Sequence, residues 1–477
     1  MNDLIIVGGG PAGYVAAVRA AQLGAKVAVV EAREAGGTCL NRGCIPSKAL
    51  IKSASMVEEA AGAKRFGVSY GEVTFDLDAI RKHKSRTVKQ LVTGVEGLLK
   101  TNGITTYNGW AKLTSGTSVS VTAADGAVTE LESRYILLCS GSEPMVPPIP
   151  GANAGFAGGI FTSDEAVDLP GPYKSLVIIG AGAIGVEFAY VYSRLGTTVH
   201  LIEMLPRIVP TEDPEATDLL AKSLKKGGVK IYTSAKVAAI HHNDDGTKRV
   251  EYECDGVAGE IAADAVLVAA GRRAVTANMG LEEIGIELDR GRVKFDSHLK
   301  TTVDTVYGAG DCLRGIGLAH QASHEGICAA ENLFGTGGHV NYDAVPACIY
   351  THPEIGSVGI REAQAKERGI EVTVGSFPFQ AIGKATAIGE REGFVKLIAD
   401  SKTGQLIGAT IIGPSATELI AEVTLAITLG ATATDVADTI HSHPTLSECV
   451  GEAALAVLGR SIHMPPGGVR GGRVELE

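Results

Sequence analysis

Two stretches of the chain are built alike, and they constrain most of what the rest can be. LIIVGGGPAGYVAAVRAAQLGAKVAVVEA (residues 4–32) and SLVIIGAGAIGVEFAYVYSRLGTTVHLIEM (175–204) each read as an apolar strand, a glycine-rich turn, an amphipathic helix and a second strand ending in an acid. The glycines fit GxGxxG in both: Gly8, Gly10 and Gly13 around Pro11 and Ala12, then Gly180, Gly182 and Gly185 around Ala183 and Ile184. The first glycine allows a tight turn, the second lets backbone approach a pyrophosphate, and the third lets helix and strand pack closely. Glu31 and Glu203 stand the same distance from the first glycine of their copy (31 − 8 = 23 and 203 − 180 = 23), where a carboxylate can accept from a ribose hydroxyl. One GxGxxG is a weak signal. Two copies with equal spacing imply an α/β chain holding two dinucleotides. Glu203 would bond a free 2′-hydroxyl and repel a 2′-phosphate, and only Arg207 follows it, which favours NAD over NADP.

GGTCLNRGCIPSK (36–48) carries Cys39 and Cys44, close enough for one loop to bring their sulfurs within disulfide distance. Gly36, Gly37 and Gly43 permit unusual backbone, and Pro46 suits the first turn of a helix running through SKALIKSASMVEEAA. Cys44 would sit at that helix's positive end, with Lys48 one turn on, and a low thiol pKa is the expectation. A structural pair or half a zinc site would also use two cysteines. Zinc needs four ligands, however, and no second close Cys/Cys or Cys/His cluster lies nearby, so no metal is expected.

Composition narrows the partners. The 477 residues suggest about three domains, and 45% hydrophobic with 20% charged residues is ordinary for a globular protein. A net charge of −11 and a single Trp argue against nucleic acid. No run approaches the roughly 18 to 20 apolar residues of a membrane span. MNDLIIVGGG enters a strand directly without a leader, and eight cysteines with one close pair do not form a secreted disulfide framework, so a cytoplasmic location is expected.

Between and after the repeats, residues 49–100 read as helices, with Arg81 to Arg86 as a solvated face, and 103–139 as a small sheet. SGSEPMVPPIPG (140–151) reads as a connector, ADAVLVAAGRR (263–273) as a buried strand and turn, and TVYGAGD (305–311) as a strand ending at Gly310 and Asp311. From 346 the pattern is α+β, and MPPGGVRGGRVELE reads as an extended or mobile tail. In HSHPTLSE, Pro444 fixes the loop after His443. A helix starting at Thr445 or Leu446 would let Glu448 turn back to orient the imidazole as a general base. His441 and His443 as a metal pair lack a third ligand.

GGTCLNRGCIPSK, the two nucleotide motifs, GAGD and HPTLSE, in this order, resemble the flavin-dependent pyridine nucleotide-disulfide oxidoreductases from about residue 3 to about 463, most nearly the branch that oxidises dihydrolipoyl groups. The resemblance implies two Rossmann-like domains, for FAD (1–148 and 275–345) and NAD (149–274), a C-terminal α+β dimerisation domain (346–463) and a tail (464–477). FAD would lie on the first glycine motif with Glu31, Gly37, Thr38, Lys48, Ala111, Ser140, Gly141, Ser142, Gly310, Asp311, Gly317, Leu318, Ala319 and His320. NAD would lie on the second, with Glu187, Glu203, Val237 and Gly271. It further implies a homodimer in which His443 and Glu448 of one chain face Cys39 and Cys44 of the other, a Lys48–Glu187 pair that tunes the flavin, and a lipoyl-carrying protein as substrate.

The competing disulfide reductases fit less well. Glutathione-type enzymes would want basic residues where Glu203 sits, mercuric reductases a further cysteine pair near the C-terminus, and transhydrogenases no cysteine pair at all. A non-catalytic flavin and NAD binder would not need Cys39, Cys44, His443 and Glu448 together. The chain departs from the family pattern at Cys139, Ser140 and Ala274 and in its GGVRGG tail.

Overall fold

The computed structural model describes residues 1–314, 317–465 and 470–474. They divide into two compact units, one of residues 1–53, 70–172 and 267–340, the other of 54–69, 173–266 and 341–477.

In the first unit, strands Thr105–Asn108, Val27–Glu31, Asn2–Val7 and Val128–Leu138 lie side by side and parallel, with Val306–Gly308 also parallel to Val128–Leu138. The apolar runs LIIV and VAVV are buried on both faces, as parallel strands require. Val128–Leu138 serves two sheets. Its first half pairs antiparallel with Ser118–Thr122, which pairs with Trp110–Ser115, and its second half completes the parallel layer. Helix Pro11–Gln22 packs against helix Ala319–Phe334 at Gly326, where a Cβ would meet the carbonyl oxygen of Ala12 at 2.4 Å. A glycine is therefore needed at that crossing.

In the second unit, Lys230–Tyr232, Thr198–Ile202 and Ser175–Ile179 repeat the parallel arrangement. A three-stranded antiparallel sheet runs Ala235–His242, Lys248–Cys254, Val257–Ala263. The C-terminal part is an antiparallel sheet in the order Ala347–Ile349, Glu354–Gly359, Leu406–Gly413, Phe394–Asp400, Val372–Pro378, Arg470–Val474. Helices Ala416–Thr428 and Glu448–Val457 press on it through Gly356 and Gly375, where a Cβ would come within 2.4 Å and 2.3 Å of helix backbone. Among the described residues no helix is long and apolar enough to cross a membrane.

One expectation needs correcting. The basic run on helix Leu77–Thr101 is not wholly a solvated face: Arg81 donates to the carbonyls of Leu169 (2.9 Å) and Gly171 (3.0 Å), and buried Lys84 bonds Asp168 at 2.6 Å. The 168–171 loop turns its carbonyls and a carboxylate to that side of the helix, and only Lys82, His83, Ser85 and Arg86 stay exposed. Part of the tail is extended, as expected: Arg470–Val474 completes the edge beside Val372–Pro378, Val372 opposite Val474 and Ser376 opposite Arg470. The segments 466–469 and 475–477 lie outside the described residues.

Candidate active site

The two glycine turns adopt the same geometry. Gly8 and Gly180 have φ of +109° and +98°, and each donates its N–H to the strand beside it, to Val30 and Ile202, at 2.8 Å. A Cβ on Gly13 or Gly185 would lie 1.8 Å or 1.9 Å from the carbonyl oxygen of Gly8 or Gly180, so only glycine admits this helix-to-turn contact. The acids close each turn. Glu31 accepts from the amides of Gly9 (2.6 Å) and Arg33 (2.8 Å), and Glu203 from those of Ala181 (2.7 Å) and Leu205 (2.9 Å). Hydrogen bonds of this charged kind contribute about 1.5–3 kcal/mol each. No side chain caps the first turn of either helix, Pro11–Gln22 or Ala183–Arg194. Both positive helix ends thus suit a pyrophosphate, and the residues fit dinucleotides at both places. Arg207, the cation of the MLPR segment after Glu203, is bonded to Asp218.

The cysteine stretch is held against the first turn. Gly36 donates its N–H to the carbonyl of Gly9 at 2.9 Å. Gly37, at φ +57°, comes so close to Gly10 that a Cβ would lie 2.6 Å from the Gly10 Cα. Cys39 and Thr38 sit on the short helix Gly37–Arg42, and Cys44 begins helix Cys44–Gly62, which carries Lys48 one turn on. Both cysteines are half-buried. The Cys39 thiol is raised well above the ordinary range by its hydrogen bond with Cys44 and by burial, against the lowering pull of Lys48.

The remaining expected flavin residues gather in the first unit. Ser140 Oγ donates to the Val275 carbonyl at 2.6 Å, and Ser142 Oγ donates to Asp311 at 2.5 Å. Gly310 has φ of +82° and donates its N–H to fully buried Glu325 at 2.6 Å. Gly317 faces Asp311, Leu318 precedes helix Ala319–Phe334, and Ala319 and His320 begin it. Ala111 lies on strand Trp110–Ser115, and Gly141, at φ +71°, has open space on its Cα. Gly271, expected beside NAD, also lies in the first unit and accepts from the Met145 amide at 2.9 Å. In the second unit, Glu187 is buried and accepts from the Tyr350 amide at 3.0 Å, and Val237 is buried on strand Ala235–His242.

Two further residues, Arg272 and Asp164, join this group. Arg272 donates to both the hydroxyl (2.9 Å) and the carbonyl (2.7 Å) of Ser142. Asp164 lies 3.7 Å from Arg42 and 3.9 Å from Arg272. Burial raises the Asp164 carboxyl above its usual range even with those guanidiniums beside it. A polar chain thus runs from the cysteine-bearing helix through Arg42, Asp164 and Arg272 to Ser142 and Asp311. The only sequence trace of Asp164 is the helix-capping pattern TSDE, where Thr162 and Glu165 form a capping box.

His443 and Glu448 lie in the second unit. The helix begins later than expected, at Glu448 itself, because the Glu448 side chain caps the preceding turn: it accepts from the Thr445 amide at 2.9 Å. Its other oxygen bonds His443 Nδ1 at 2.8 Å. Burial alone would raise the Glu448 carboxyl, yet the His443 and Thr445 hydrogen bonds hold it below the usual carboxylate range. The arrangement fixes Nδ1 as the donor and leaves Nε2 as the basic nitrogen. The His443 side chain is 75% exposed. Among the described residues no group of three or more His, Cys, Asp or Glu could hold a metal.

Two dinucleotide turns, a dithiol packed on the first and an oriented histidine define a flavin- and nicotinamide-linked dithiol oxidoreductase. The chain belongs to the pyridine nucleotide-disulphide oxidoreductase family, whose pattern matches residues 2–326, with the family's dimerisation domain at 345–454. It is 42% identical over 469 residues to the mitochondrial dihydrolipoyl dehydrogenase of Dictyostelium discoideum (97% of this chain, 96% of that one) and 42% identical over 464 residues to the dihydrolipoyl dehydrogenase of Geobacillus stearothermophilus (97% of each). Its structure is similar to that of the HOCl-induced flavoprotein disulfide reductase RclA of Escherichia coli in its Cu(II) complex, with a TM-score of 0.85 at 29% identity over 96% of this chain and 99% of that one.

Proposed function

We propose that this chain oxidises dihydrolipoyl groups and passes their electrons through the Cys39–Cys44 pair and FAD to NAD⁺. The observation that carries the reading is the Gly37–Gly10 contact, which seats the dithiol on the first dinucleotide turn. The relatives named above supply the substrate class.

His443, its tautomer fixed by Glu448, takes the proton of a substrate thiol at Nε2. The substrate thiolate attacks Cys39 of the oxidised pair; a mixed disulfide forms and the Cys39–Cys44 bond breaks, leaving the negative charge on Cys44. The second substrate thiol then attacks its own mixed disulfide and releases Cys39; its proton goes to the departing Cys39 sulfur, while the first stays on His443 and balances the Cys44 thiolate. That partition of charge matches the raised Cys39 thiol, and the positive helix end beneath Cys44 favours its thiolate. FAD, when bound, accepts the electron pair from the dithiol and delivers hydride to the nicotinamide. Glu31, Ser142, Gly310 and Asp311 would hold FAD, and Gly182, Gly185 and Glu203 would hold NAD. The doubly bonded Glu203 carboxylate, with Arg207 occupied by Asp218, favours NAD over NADP.

The base comes from a second copy in this reading. His443 points outward, and Leu425, Leu429, Ile440 and Ile462 leave an apolar surface exposed in the same unit, as a homodimer interface requires. The lipoyl group arrives on another protein, in the cytoplasm. Assaying NAD reduction by dihydrolipoamide tests the assignment. Cys44→Ser is expected to lose turnover by at least a thousandfold with flavin still bound, and His443→Gln by a hundredfold or more. Near-normal rates in either variant would remove that residue from the mechanism.

A further inference from the structure

His441 stands two residues before the proposed base and is held at both ring nitrogens. Nδ1 lies 2.9 Å from the Thr439 carbonyl oxygen, and Nε2 lies 2.7 Å from the Glu422 carboxylate. Both partners are acceptors. A neutral imidazole has one N–H and one bare lone pair, so either tautomer would set a lone pair against an acceptor at one contact. The imidazolium satisfies both.

The ring is also wedged between two helices. Glu422 belongs to Ala416–Thr428, while the other face lies on Gly451 of helix Glu448–Val457, where a Cβ would come within 2.9 Å of Nδ1. That second helix begins with Glu448, the partner of His443. We propose that His441 is a standing cation that locks the 439–443 segment onto both helices and so positions His443, an inference that rests on the reading of His443 as the base. His441 is a positioning residue, since it acts through another group.

The charged groups facing it are Glu422 on one helix and Glu448 on the other. Its bond with Glu422 raises the imidazole above the ordinary histidine range, against the pull of burial, and Glu448 adds to the rise. A raised folded value means that the charge, and the lock, hold at lower pH and are lost as pH rises through that value. The neutral ring must then give up one contact, and the loop before His443 loosens.

Nitrogen NMR of the holoenzyme labelled in its histidines reads the protonation state directly, with His441→Gln to assign the signal. Two protonated ring nitrogens at neutral pH are expected, and a single-tautomer signature would overturn the proposal. Glu422→Gln keeps the size and hydrogen-bonding capacity but removes the counter-charge. It is expected to move the alkaline fall of kcat/KM for dihydrolipoamide to lower pH, with a loss on the order of tenfold near pH 8.5 and no change in bound flavin. An unaltered pH profile would also overturn it. If Glu422→Gln does not fold, the wild-type NMR measurement still decides. A His443→Gln enzyme that kept its rate would remove the base and leave the His441 signal as it was, so the two readings fail separately.

Discussion

The two glycine turns share their backbone angles, their helix contacts and their doubly bonded acids, yet their surroundings differ. At the first, Gly37 of the cysteine-bearing segment closes on Gly10, and Gly36 bonds Gly9. At the second, nothing lies within 4 Å of where a Cβ on Gly182 would point. The covered turn suits a cofactor that stays and exchanges electrons with the sulfurs above it. The open turn suits a nucleotide that must arrive, accept hydride and leave. One local fold thus does two jobs, and the segment laid over it decides which.

Substitution can separate the two. The largest effect is expected at the third glycines: Gly13→Ala drives a Cβ into the Gly8 carbonyl and should give protein without flavin, whereas Gly185→Ala should keep its flavin and lose NAD-linked turnover by at least a hundredfold. Flavin absorbance per chain and the KM for NAD⁺ report the two losses, and equal flavin loss in both variants would erase the distinction. Next, Gly37→Ala places a Cβ 2.6 Å from Gly10 at a left-handed φ. Loss of flavin on desalting, with an unaltered dissociation constant for NAD⁺, is the outcome that would sharpen the comparison.

Glu203→Gln removes the charge from the second turn alone. The NAD preference in kcat/KM should fall about 10- to 100-fold against NADP, with flavin content unchanged. Gly182→Ala has room for its methyl and should raise the KM for NAD⁺ by about tenfold at most through crowding of the pyrophosphate. The smallest effect is expected from removing residues 466–477 and with them strand Arg470–Val474: hydrogen exchange of the Val372–Ser376 amides should quicken while turnover holds, because that edge would lose its Arg470–Val474 partner.

Much of this was legible in the chain. Equal spacing of glycines and acids gave both turns, since GxGxxG states a backbone requirement that only glycine meets. HPTLSE led to the His443–Glu448 pair because both ends of that hydrogen bond lie five residues apart in one motif. What stayed hidden was non-local. Asp164 and Arg272 meet across more than a hundred residues of sequence, and neither sits in a periodic pattern. Lys84 looked solvated because periodicity cannot tell that a loop of carbonyls and a carboxylate will fold over it. The His441 charge was equally invisible, since it depends on Glu422 from another helix.

The proposed reaction turns on electrons passing between the two sulfurs and the flavin. Anaerobic reductive titration of the purified protein with NADH tests this most directly. The oxidised enzyme should take up one electron pair more than its flavin alone accepts, with Cys39 and Cys44 appearing as the new thiols, and Cys39→Ser should lose that extra pair. Uptake matching the flavin alone in the wild-type protein would contradict the account.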